Sequence, residues 1–267
     1  MRLRPVAGIL LRQLYLFRSS PVRILPTFAW VGIDIVVWGF LSRYLNSVAG
    51  GEVNFVPSLL GAVLFWDFFT RIMQGVTTAF FEDIWSRNFL NLFATPLSIA
   101  EYVTGLILTS IVTSIAGLVV MLVLATLVFG LSFISLGAML FPFVVVLFLF
   151  GVALGVAASA MVLRLGPASE WLVWPLPAML SPFVGVYYPI GTLPAWMQAV
   201  GHVLPPSYVF EGMRALVKGE AFSPASLLLG AGLAIVQLLL AAWLFARVFR
   251  YSVQTGLLAR YSAETVN

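Results

Sequence analysis

Between Tyr102 and Leu163 the chain runs for about 60 residues without a charged side chain. An α-helix rises about 1.5 Å per residue, so roughly 20 apolar residues span a hydrocarbon core of about 30 Å. The run is too long for one crossing and fits two. Its turn is expected at residues 130–137, where Gly130, Ser132, Ser135 and Gly137 interrupt the large apolar side chains. Inside lipid, a stretch of this kind satisfies its backbone only as helix. The expectation is therefore an all-α integral membrane protein.

The rest of the chain agrees. With 61% hydrophobic and 9% charged residues in 267, it supplies about six spans and short connections, but no sizeable soluble domain. It has no cysteine, which excludes disulfide and thiol chemistry, and a single histidine, His202, which leaves no histidine-based metal site. A net charge of +4 would suggest nucleic acid in a soluble protein. Here it reads as arginines that set topology, and no nucleic-acid partner is expected.

Residues 1–267 are expected to form one transmembrane domain with six spans near 24–44, 55–80, 102–129, 138–163, 171–190 and 225–249. Residues 1–22 are not read as a cleavable signal, because Arg12 and Arg18 break any apolar core segment. Ile9, Leu10, Leu14, Leu16 and Phe17 alternate with arginines in a helical pattern. They predict an amphipathic interface helix on the membrane surface, with a disordered basic tail as the alternative. With six spans, Arg2, Arg4, Arg12, Arg18, Arg23, Arg87, Arg164, Arg247, Arg250 and Arg260 fall on one side, which the positive-inside rule makes cytoplasmic. Both termini are then cytoplasmic.

In the fifth span Pro175, Pro177, Pro182 and Pro189 each remove a backbone donor, so that helix is expected to be kinked or broken. Residues 191–224 are amphipathic. Pro194 and Pro206 each look like the first turn of a short helix. A re-entrant helix pair on the extracytoplasmic side is expected there, with an ordinary surface loop as the alternative.

Several chemistries are excluded. Lys218 is the only lysine and lies in no Walker A sequence, so no P-loop nucleotide site exists. Neither the His-Glu-x-x-His nor the Gly-x-Ser-x-Gly pattern occurs. No catalytic, cofactor or metal residue is therefore assigned. Asp34, Asp67 and Arg71 are the ionisable residues within spans. Each is costly at a helix centre and should face protein or water. Asp67 and Arg71 are four apart and fit an ion pair, either self-neutralising or lining a translocation path. Trp66 and Phe69, three apart on the same helix, are the aromatics best placed to stack on a glycan in such a path. Core packing is the alternative.

Two segments carry a resemblance. One is Phe81–Ser98 (FEDIWSRNFLNLFATPLS) between the second and third spans. The other is Tyr188–Gln198 (YPIGTLPAWMQ) followed by Leu204–Arg214 (LPPSYVFEGMR) before the last span. Together with six spans, they resemble the permease subunits of type-2 ABC exporters. The resemblance implies a coupling helix within residues 81–97, with Glu82, Asp83, Arg87, Phe89, Leu92 and Thr95 contacting the ATPase. It also implies a re-entrant region built on Pro194, Pro206, Glu211 and Arg214, although the last two equally fit a local helix pair. Asn91 stands where the family often has a glutamate, so no ionic contact is carried over there.

By the same resemblance, the chain is not an enzyme by itself. Two separate ATPase subunits bind ATP and Mg, and a second permease copy completes the transporter in a bacterial inner membrane among its lipids. An amphipathic, glycan or lipid-type cargo moves outward. An ATP-independent channel or carrier, and an intramembrane lipid-modifying enzyme, are the alternatives.

Overall fold

In a computed structural model of the protein, residues 2–19, 21–48, 59–130 and 140–259 are described. They form ten α-helices: α1 Leu3–Ser19, α2 Pro21–Val48, α3 Gly61–Trp85, α4 Phe89–Phe93, α5 Ile99–Phe129, α6 Phe141–Leu165, α7 Leu176–Val184, α8 Ala195–Val203, α9 Pro205–Val217 and α10 Pro224–Gln254. No strand occurs among the described residues. The expected turn at 130–137 lies outside them except for Gly130, as does the start of the expected second span.

Local chemistry fixes the helix ends. Ser98 caps α5 and Glu101 returns the bond in a capping box, while Gly130 closes the same helix at φ 68°. Ser223 caps α10, whose first turn carries Pro224, and α6 has its proline in the first turn too. Three helices, α5, α6 and α10, are by themselves long and apolar enough to cross a membrane.

The core is built on α3, which packs between α5 and α6, with α10 laid against the far side of α6. Lipid supplies no hydrophobic drive to join helices, so close approach through small residues holds them. A side chain at Gly155 would sit 2.9 Å from the Met73 carbonyl oxygen and from Val76, and one at Gly151 would meet Ile72 at 2.8 Å. On the α5 side, Ser110 donates to the Ile72 carbonyl (2.8 Å) beside Gly75. Buried rings fill the rest, including Phe68, Phe80, Phe143, Phe210 and Phe245. Val119, Val123 and Leu127 of α5 and Leu228, Leu239 and Leu240 of α10 stay exposed, an apolar surface that suits lipid.

The bundle has two ends. At one, Phe80 of α3 meets Phe245 of α10, and Arg164 of α6 lies 4.0 Å over the Tyr251 ring. At the other, Arg43 of α2 covers Phe129 of α5, and Phe143 of α6 meets Phe222 before α10. The proline-rich segment runs between these ends in pieces. It begins with the 3-10 helix Pro167–Leu172, where Trp85 donates to Glu170 (2.9 Å), and Trp174 packs near Phe81. It finishes where Tyr187 stacks on Trp38 at 4.9 Å. Only the nine residues of α7 are α-helical in between, about 14 Å of rise. The break expected within 171–190 is present: the prolines interrupt the hydrogen-bond ladder, and Gly185 ends the one short helix at φ 64°. A Cβ at Gly185 would lie 2.8 Å from the Tyr188 carbonyl oxygen, so this break needs glycine.

Candidate coupling surface and translocation path

The segment that resembles a coupling helix is a turn plus a single helical turn. Phe81, Glu82 and Asp83 belong to the last turns of α3, and the separate helix is only α4, Phe89–Phe93. The helix expected within residues 81–97 is thus the five-residue α4 alone. Asn88 donates to the Asp83 carbonyl (3.0 Å) and Arg87 to that of Ile84 (2.9 Å), a Schellman closure in which Arg87 occupies the left-handed position at φ 54°. Glycine normally sits there, and an arginine costs about 1 kcal/mol.

Two expected contact residues face inward. Phe89 is 1% exposed and packs against Phe80 (5.6 Å), Phe93 (5.1 Å) and Tyr102 (6.0 Å). Its ring anchors α4 to the chain's own core and is not a docking face; Leu92 is half-buried beside it. Asp83 is also 1% exposed, so it is not a surface contact. The side chains that the turn does present are Trp85, Ser86, Arg87, Asn91 and Thr95, while Glu82 is half-buried.

Asp83 instead ties three helices together. Its carboxylate accepts from Arg12 of α1 and from the Tyr102 hydroxyl of α5 (2.8 Å). Gln13 is fully buried beside it, with an amide that satisfies both neighbours when its nitrogen points to Glu82 (2.7 Å) and its oxygen to Arg12 (3.3 Å). A second tie lies at the start of α1. Glu101 accepts from the Arg2 backbone (2.8 Å) and guanidinium (3.1 Å), and Arg2 also reaches the Pro96 carbonyl. Ile9 packs so closely on Gly105 that a Cβ there would lie 2.7 Å away. The segment expected to be an amphipathic interface helix is helical as α1, and its buried face is Val6, Ile9 and Gln13. Periodicity flagged Ile9, but it did not show that a glutamine completes the face. Between α1 and the turn lies a groove of about 330 Å³ lined by Arg2, Ile9, Arg12, Leu92 and Pro96.

The four residues expected along a path separate onto two faces of α3. Phe69 is fully buried, stacked on Phe150 at 5.3 Å, so it is core and lines no path. Trp66 is half-buried and leans on Phe69 and Phe210. Asp67 and Arg71 form the expected ion pair, 2.6 Å from Nε to Oδ2, and both remain half-buried. With Thr70, Gln74, Thr78 and Glu82 they make a polar stripe, also half-buried, along one side of a helix whose other side is an apolar core. The stripe extends for about 22 Å.

At the opposite end, α8 follows directly on Pro194, and α9 starts at Pro205 with Pro206 second. Glu211 and Arg214 pair at 3.0 Å, but they do more than brace one helix. Glu211 accepts from the Ile190 backbone (2.7 Å), and Arg214 donates to the Gly185 carbonyl (2.7 Å). Together they pin α9 to the break after α7, a long-range role that local spacing does not show. A cavity of about 450 Å³, lined among others by Gln198, His202, Tyr208, Glu211 and Ser223, opens between these short helices and the start of α10.

An all-helical bundle with several long apolar helices defines a multi-pass membrane protein. The chain belongs to the ABC-2 type transporter family, whose pattern it matches over residues 12–217. That span takes in the second half of α1, the turn at 86–95, the broken segment and both short helices. No curated protein matches it. Membership makes it the membrane subunit of an ABC-type permease and implies an ABC ATPase partner in general.

Proposed function

We propose that the chain is the permease of an ATP-driven exporter, working as a pair of identical copies with two separate ATPase subunits that bind ATP and Mg. The family match carries this reading, together with a sequence that holds no P-loop. The mechanical route is supported by the ties described above. A push on the turn at 86–95 reaches α3 through its Schellman closure, and reaches α1 and α5 through Asp83 and Glu101. The half-buried stripe on α3 is the surface along which an amphipathic cargo would pass between one protomer and its partner.

The purified chain is expected neither to bind nor to hydrolyse ATP alone. In vesicles holding the ATPase subunit as well, hydrolysis should drive cargo movement. ATP-independent movement by the chain alone would instead make it a carrier.

The orientation we propose places the coupling turn and both termini in the cytoplasm of a bacterial cell, with six crossings of the inner membrane and the α8–α9 pair re-entering from outside. Single cysteines can be placed without background, since the chain has none. An impermeant label should reach cysteines at Ser47 and Gly219 in intact cells, and at Ser86 and Ala168 only after permeabilisation. Labelling of Ser86 and Ser47 from the same side would overturn the arrangement.

A further inference from the structure

The charges in the middle of the bundle do not balance. Asp67 is matched by Arg71, but Asp34, fourteenth of the 28 residues of α2, has no hydrogen bond or ion pair among the described residues. It lies within electrostatic reach of both members of that pair and is half-buried. A carboxylate at such depth is neutralised either by a compensating charge or by a proton. Among the described residues Arg71 is the one basic group within electrostatic reach, and it is already paired with Asp67. It is also the chain's only basic residue deep in the expected spans, and Arg43, nearer the helix end, is bound to the Val128 carbonyl. A second identical copy would add the same deficit of one positive charge.

The surroundings indicate what kind of cation fits. Trp38 is one turn from Asp34 on α2 and stacks on Tyr187 with planes 9° apart, and Tyr187 is within electrostatic reach of Asp34. Around the neighbouring pair, two hydroxyls lack partners. Ser114 of α5 is 1% exposed with an unsatisfied Oγ, one turn before Gly117, the glycine against which the Arg71 side chain lies. Thr70 Oγ1, on the stripe between Asp67 and Arg71, is also buried and unsatisfied. A carboxylate beside aromatic faces, with unused hydroxyls nearby, favours an organic ammonium or phosphonium over a bare metal ion, because the ring faces attract diffuse positive charge.

We propose that Asp34, with the Trp38–Tyr187 stack, binds the cationic group of an amphipathic cargo. This rests on the permease reading and names the cargo class for it. The α3 stripe leads from the coupling end toward the site, and the cation restores neutrality in the middle of the bundle.

The test is equilibrium binding of radiolabelled tetraphenylphosphonium to the full chain in zwitterionic nanodiscs, with uncharged triphenylphosphine oxide as competitor. Saturable binding is expected that the neutral compound does not displace. Asp34→Asn should weaken it roughly tenfold to a hundredfold, the loss of a charged partner, while Asp34→Glu keeps most of it. Trp38→Leu should weaken it by roughly threefold to thirtyfold. The Asn variant removes a charge from the bilayer, so insertion is eased and folding is retained. Equal binding by Asp34→Asn, displacement by the neutral analogue, or no saturable binding would each overturn the site, the last because a proton then neutralises Asp34. Neither ATP nor the ATPase is used. A chain that binds the cation but is never driven by an ATPase keeps the site and loses the exporter reading, and the reverse result keeps the exporter and loses the site.

Discussion

Asp83→Leu is expected to destabilise the protein by about 3–5 kcal/mol, the usual loss when one member of a buried ion pair is removed. The carboxylate is 1% exposed and holds Arg12 and the Tyr102 hydroxyl at once. Without it, the Tyr102 phenol loses its acceptor and the Arg12 guanidinium keeps, among the described residues, only the Gln13 amide oxygen. The thermal midpoint of the chain in detergent should fall sharply, and α1 should become accessible to protease. Tyr102→Phe removes only one neutral donor and should cost about 1 kcal/mol. The double change Arg12→Met with Asp83→Leu should recover most of the loss, since apolar groups can replace a buried pair. A single Asp83→Leu chain that melts like the original would show that the junction does not depend on this carboxylate.

Phe89→Asp should be nearly as damaging, and for a reason opposite to the one its sequence context suggests. Deleting a buried aromatic ring costs about 3–5 kcal/mol, and a carboxylate among Phe80, Phe93 and Tyr102 adds an unpaired charge. The expected outcome is a poorly assembled chain, not a folded one with uncoupled hydrolysis. Arg87→Glu and Asn91→Lys change exposed residues and should each alter stability by about 1 kcal/mol or less. If the turn receives the ATPase stroke, these two variants hydrolyse ATP but export poorly. Measuring melting, hydrolysis and export on all three variants separates fold from coupling. A stable Phe89→Asp chain with an uncoupled ATPase would put the docking face back on that ring.

Much of the architecture was legible before the structure. Uncharged runs of the right length require membrane helices, because lipid offers their backbone no other partner. Prolines 175, 177, 182 and 189 require a break in the fifth segment. The Asp67–Arg71 pair follows from spacing alone, since i and i+4 always meet on a helix.

The facing of each helix was not legible, and neither was the reach of its polar groups. In α5 and α6 nearly every residue is apolar, so periodicity gives no direction to the core. Gly75, Gly151 and Gly155 choose the contact by letting a neighbour come close, which is a property of two helices together. Trp66 and Phe69 looked equivalent by spacing, yet only the position of α6 turns Phe69 onto Phe150. Asp83 and Phe89 read as surface residues because they lie in a short polar segment between spans. The docking of α1, some 70 residues earlier in the chain, encloses Asp83 with Arg12, and α5 and α10 enclose the rings around Phe89. Local sequence thus determined which segments are helices and where they stop, because those outcomes depend on neighbours within a turn or two. Burial of a side chain depends on surfaces brought from elsewhere in the chain, and only the tertiary structure decided it.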